Sequence, residues 1–216
     1  MELKGKRILF LGDSITEGVG ASDLDHVYWK QLGRRTGADC VGYGVSGTRI
    51  ARQHVVEDCE KLGNFCDRAA RMEDGADIVV VFGGINDFSH GDAPLGTPDD
   101  QTNETFCGAL NVLITTLVNK YPGATVVFMT PLHTPCEEAP FNSRSLRAAG
   151  TLYDYVDAII DACGYYAVPV LDLFRVSGIQ PRVDILREKY LPDGVHPNDA
   201  GNLRIAERLE GFLRSL

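Results

Sequence analysis

The stretch Arg7-Ile8-Leu9-Phe10-Leu11-Gly12-Asp13-Ser14 decides how the rest of the chain is read. Its first part, Arg7–Leu11, is a short apolar run with no alternation of polar residues, and a Gly-Asp-Ser turn signal stops it. Such a run reads as a strand covered on both faces, which is how strands of a parallel sheet appear.

Similar runs recur along the chain. Asp39–Tyr43 is a weaker second, and Ala76–Phe82, Ala124–Met129 and Tyr166–Leu171 follow. Between them lie helical patterns. Val27–Arg35 places Trp29, Leu32 and Gly33 at helical spacing, and Thr105–Lys120 sets Phe106, Leu110, Leu113, Ile114 and Leu117 on one side. Asn103 is the expected N-cap of the second helix, and Pro122-Gly123 ends it. Ser143–Cys163 and Ala200–Leu216 predict two more helices, with Gly164 as the C-cap of the first. Strands alternating with helices predict βαβ units, and so an α/β fold with a five-stranded parallel sheet between two helical layers. No linker interrupts the pattern, so one domain over residues 1–216 is expected. Phe88–Gln101, Pro131–Ser143 and Val176–Asp193 read as long irregular or part-helical segments, the usual location of a binding surface.

Composition narrows the function. Among 216 residues, 30 Asp and Glu against 21 Lys and Arg give a formal net charge of -9. That argues against a nucleic-acid binder, which needs a basic stripe, and against docking on anionic membranes. The six cysteines form no C-x-x-C pair, so reduced, partly buried thiols are expected in a reducing compartment. His54, Cys59 and Cys66 read better as unrelated side chains than as metal ligands. The run Ile8–Leu11 is too short for a signal-peptide core and no run is long enough to span a membrane, so a cytoplasmic location is expected.

Four segments carry groups suited to chemistry. Gly12-Asp13-Ser14-Ile15 follows the first strand, at the carboxyl edge where open α/β sheets place their functional crevice. Ser14 would present its hydroxyl there, although Gly-Asp-Ser alone reads better as a plain helix N-cap. Gly42-Tyr43-Gly44-Val45-Ser46-Gly47 follows the second strand and matches the G-x-G-x-x-G spacing of dinucleotide sites. It follows the wrong strand for that reading, and the chain offers neither a clear ribose-binding acid nor a phosphate-loop lysine. Gly83-Gly84-Ile85-Asn86-Asp87 follows the third strand, and the Asn86 amide could donate into the same crevice. Near the C-terminus, Asp193-Gly194-Val195-His196 spaces a carboxylate so that it can bond one imidazole nitrogen and leave the other as a base.

Taken together, in this order and at these positions, the four segments resemble the four blocks of the SGNH, or GDSL-like, serine hydrolases, and the resemblance runs from Arg7 to the last helix. It implies a flavodoxin-like three-layer fold and an esterase that forms an acyl-enzyme without metal or organic cofactor. By the same resemblance Ser14 would be the nucleophile, His196 its base and Asp193 the group that orients the imidazole. The oxyanion hole would come from the N–H groups of Ser14 and Gly47 and the side chain of Asn86. Many family members carry Asn at the position of Gly42, so the side chain that would brace this turn is missing here, which weakens the expectation for Gly47. The substrate is expected to be a small-molecule or carbohydrate ester with a short acyl group such as acetyl, because Phe88–Gln101 is polar and a long acyl tunnel calls for apolar lining. Asp13, Phe88 and His133 are candidate substrate contacts, and Tyr28, Trp29 and Phe141 candidate pocket walls. The alternatives are a lipase or acyl-thioesterase acting on longer chains, and a non-catalytic carbohydrate-binding member of the fold. A homo-oligomer is possible on this reading but not specified by it.

Overall fold

A computed structural model describes residues 1–55, 62–138 and 150–216. In chain order the elements are β1 (Arg7–Gly12), α1 (Ser14–Glu17), α2 (Tyr28–Thr36), β2 (Asp39–Gly44), α3 (Phe65–Arg71), β3 (Ile78–Phe82), α4 (Ile85–His90), α5 (Phe106–Lys120), β4 (Thr125–Met129), α6 (Leu152–Tyr165), β5 (Val170–Leu171), α7 (Leu173–Val176), α8 (Asp184–Tyr190) and α9 (Asp199–Ser215). The strands lie in the order β2-β1-β3-β4-β5 and every pairing is parallel.

Side chains alternate across a strand, so covering both faces of a sheet requires apolar residues at successive positions. Leu9, Leu11, Val79, Val81, Val126 and Phe128 point to one face and pack with Phe65 of α3, Leu110 of α5 and Val156 of α6. Ile8, Phe10, Ile78, Val80, Phe82, Val127 and Met129 point to the other and pack with Leu32 of α2 and Ile205 of α9. This gives the α/β/α sandwich. In the strand order, the connection from β1 runs to one side and that from β2 returns across to β3. The crevice between β1 and β3 is therefore the switch point at which such sheets bind ligands.

Several boundaries differ from the sequence expectation. Helix α5 is capped by Thr105, whose hydroxyl accepts from the Gly108 N–H at 3.1 Å, rather than by Asn103. Helix α6 begins at Leu152 behind a Thr151–Asp154 capping box and runs through Gly164 to Tyr165. The left-handed turn that follows is taken by Ala167, at φ 53°. Residues 143–149 of the expected helix, along with Cys59 and Phe141, lie outside the described residues. Strand β5 is only Val170–Leu171 because the turn that ends α6, at Tyr166 and Ala167, takes its expected start, and Pro169 just before it has no N–H to donate.

Candidate active site

Ser14 opens α1 directly beyond β1, with Asp13 as N-cap accepting from the Ile15 N–H at 3.1 Å. As the first helical residue, Ser14 has a backbone N–H that no intrahelical carbonyl can use. Its Oγ lies 3.0 Å from Nε2 of His196. On the far side of that ring, Nδ1 lies 2.7 Å from Oδ2 of Asp193. The other carboxylate oxygen of Asp193 accepts the N–H groups of Val195 and His196 at 2.8 and 2.7 Å. Partial burial works against charge on Asp193, but these two N–H groups and the imidazole outweigh it and hold the carboxyl below its usual range. An ionised carboxylate accepts only, so the ring proton sits on Nδ1 and Nε2 is left to accept from the serine hydroxyl. A hydroxyl, an imidazole and a carboxylate in this series can move a proton off the hydroxyl and stabilise the imidazolium that results.

Two crossovers leave the same carboxyl edge of the sheet, one after β2 and one after β3. Gly47 follows β2 in a turn at φ 76°, a conformation that favours glycine. Asn86 is 8% exposed in the first turn of α4, after β3. Its Nδ2 donates one hydrogen to the Thr48 carbonyl at 3.1 Å. Asp87 joins the two segments, its carboxylate accepting the N–H groups of Ile50 and Ala51, each at 2.9 Å.

The glycine at position 42 has a structural reason. A Cβ there would lie 2.5 Å from the Trp29 indole. That indole donates its N–H to the Thr16 carbonyl of α1 at 2.9 Å. The space of a side chain at 42 is thus filled by Trp29, which ties β2 to the helix carrying Ser14. Arg68 supplies a second brace. Its guanidinium donates to the Tyr43 carbonyl at 2.8 Å, the Gly12 carbonyl at 2.9 Å and the Thr48 hydroxyl at 2.8 Å. Sequence reasoning passed over Arg68 because its partners are mostly backbone carbonyls, which leave no mark on the pattern of side chains.

Three expected substrate contacts are not on an open surface. Phe88 is fully buried, its ring 5.9 Å from that of Tyr155 in the core. Asp13 is 1% exposed, and burial pushes its carboxyl up to about 6 despite the Ile15 N–H, Arg68 and His196. Tyr28 and Trp29 are likewise core residues. His133 is partly buried, bonded through Nδ1 to Glu137 at 2.7 Å with its ring 3.7 Å from that of Phe174. It is thus anchored away from free rotation, and no described contact joins it to Ser14 or His196. The Phe88–Gln101 segment also differs from expectation. Its first residues finish α4, Asp92 accepts the N–H groups of His54 and Val55, and Asp100 accepts from Thr97 and Thr105. Its polar groups largely brace the loop itself. No cluster of His, Cys, Asp or Glu among the described residues could hold a metal ion, and no described helix is long and apolar enough to cross a membrane.

Comparison with known proteins agrees with this architecture. A solved protein structure from Lactobacillus plantarum is 30% identical, with a TM-score of 0.84 over 99% of this chain and 98% of its own. The native aryl esterase of M. smegmatis is 21% identical, with a TM-score of 0.67 over 98% of this chain and 100% of its own. A two-domain esterase active on acetylated mannans is 18% identical, with a TM-score of 0.64 over 99% of this chain and 49% of its own. The last two share the fold. No curated protein matches the chain. The sequence profile of the GDSL-like lipase/acylhydrolase family matches residues 10–204, from within β1 into α9. This chain belongs to the GDSL-like lipase/acylhydrolase family.

Proposed function

We propose that the chain is a serine esterase, its activity carried by a single domain over residues 1–216, that removes short acyl groups from a polar, small-molecule or carbohydrate carrier. Ser14 attacks the ester carbonyl while His196 takes its proton. The oxyanion is met by the N–H groups of Ser14 and Gly47 and the Asn86 amide, and His196 then protonates the departing alcohol. Water, deprotonated by the same imidazole, releases the acid from the acyl-enzyme. The observation that carries this reading is the unbroken series from Ser14 Oγ to His196 at 3.0 Å and from His196 to Asp193 at 2.7 Å.

The preference for short acyl groups rests on where the aromatic residues went. Tyr28, Trp29 and Phe88 are packed in the two cores, so they offer no lining to a long hydrocarbon chain. The similar folds of an aryl esterase and of an esterase active on acetylated mannans support an ester substrate of this kind.

The test is a panel of p-nitrophenyl esters from acetate to palmitate, with acetylated sugars, assayed on the wild type and on Ser14→Ala. We expect acetate to be preferred, and Ser14→Ala to lower kcat by about a thousandfold or more while melting at the wild-type temperature. Equal activity in the folded Ser14→Ala protein would remove Ser14 as nucleophile. A preference for palmitate would replace the short-chain reading with a lipase-like one.

A further inference from the structure

Arg49 lies two residues past Gly47 and is 2% exposed. Its Nη2 donates to the His90 carbonyl at 3.1 Å and also contacts Nδ1 of the His90 ring. A guanidinium has donors only, so Nδ1 is the accepting nitrogen and the proton of the neutral ring sits on Nε2. That Nε2 lies 2.9 Å from Oδ1 of Asn86. The direction of the whole series follows, from guanidinium to imidazole to amide oxygen. It fixes which end of the Asn86 side chain is oxygen and which is nitrogen. Nδ2 then gives one hydrogen to the Thr48 carbonyl and has a second to donate.

We propose that His90, held by Arg49, is a positioning residue of the oxyanion hole. It locks the Asn86 amide so that N–H, and not C=O, faces the acyl oxygen. The inference rests on the reading of Asn86 as an oxyanion donor. An amide turned by half a rotation would set a carbonyl oxygen against developing negative charge, which opposes the reaction instead of assisting it. The Thr48 carbonyl favours the productive orientation from the nitrogen side, and His90 favours it from the oxygen side. Asp87, one residue on, clamps the backbone of Ile50 and Ala51, so α4 and the segment after Gly47 form one unit carrying both donors.

The experiment compares the full chain with His90→Met, which keeps volume but has no donor, and His90→Gln, which can donate to Asn86 and accept from Arg49. Each is assayed on p-nitrophenyl acetate in the wild-type and Asn86→Ala backgrounds, with melting temperatures measured alongside. His90→Met should lower kcat about tenfold or more with KM within about twofold, since the loss falls in the transition state. His90→Gln should recover most of it. In the Asn86→Ala background His90→Met should cost nothing further, because the group it orients is gone. Wild-type kcat in a folded His90→Met protein, an equal loss in His90→Gln, or an additive loss in the Asn86→Ala background would each overturn the proposal. If the Met variant does not fold, His90→Gln decides: kcat within about threefold of wild type supports the proposal, and any larger loss overturns it. Unchanged kcat in Asn86→Ala alone would instead dismiss Asn86 as a donor, and the role of His90 with it.

Discussion

Substituting Asp13 by Asn should make the protein more stable above neutral pH while leaving it nearly unchanged in acid. Asp13 is 1% exposed, and burial raises its carboxyl from 3.8 to about 6 against the pull of the Ile15 N–H, Arg68 and His196. The folded state therefore holds this proton more tightly than the unfolded chain does. Below about pH 4 the group is protonated in both states and carries no penalty. Between about pH 4 and pH 6 the unfolded chain releases its proton first, so stability falls as pH rises. Above about pH 6 the penalty is complete at roughly 3 kcal/mol, taking about 1.4 kcal/mol per pH unit. Asn cannot ionise, and its Oδ1 can still accept from the Ile15 N–H, which caps α1 at 3.1 Å. The advantage of Asp13→Asn over wild type should then grow by roughly 2–3 kcal/mol from pH 4 to pH 8. Urea unfolding at half-unit pH steps, with the slope of free energy against denaturant compared between the proteins, measures this difference. A constant offset such as a lost contact would shift both ends equally. A difference that is flat across pH, or that shrinks as pH rises, would refute the buried, reluctantly charged Asp13 described above.

Two further outcomes follow from packing and burial. Gly42→Asn restores the residue many family members carry, yet its Cβ would meet the Trp29 indole at 2.5 Å. It should cost about 1–3 kcal/mol by overpacking and be tolerated better in a Trp29→Ala background, as read from melting temperatures; equal cost in both backgrounds would dismiss the Trp29 clash. Burial pushes the thiols of Cys40, Cys66 and Cys163 up to about 12, whereas Cys136 is exposed. Iodoacetamide at pH 8 followed by peptide mass mapping should modify Cys136 in the native protein and the other three only after denaturation. Native labelling of Cys66 or Cys163 would contradict the packing around them.

Much of the architecture is legible in the order of residues alone. Parallel strands buried on both faces must be apolar at consecutive positions, so RILFL and its counterparts declare themselves without alternation. The candidate residues were legible for a related reason: a parallel sheet collects the carboxyl ends of its strands along one edge, so Ser14 and Asn86, each just past a strand, lie along that edge. Asp193 and His196, three residues apart, can meet by local geometry alone. The aromatic residues resisted such reading. Phe88 and Tyr28 look the same in sequence whether they line a pocket or fill a core, and only the packing of α4 against α6 and of α2 against the sheet put them inside.

Local hydrophobic pattern and short spacing thus suffice to name the strands, the edge beyond which Ser14 and Asn86 lie, and the residues proposed to act there. Folding in three dimensions set the strand order that opens the crevice between β1 and β3, the Trp29 indole in place of a side chain at position 42, and the partners of two buried arginines. Arg68 and Arg49 donate to backbone carbonyls and to a ring nitrogen brought close by folding. Every residue type carries that same carbonyl, so such a partnership has no signature until the chain has closed on itself.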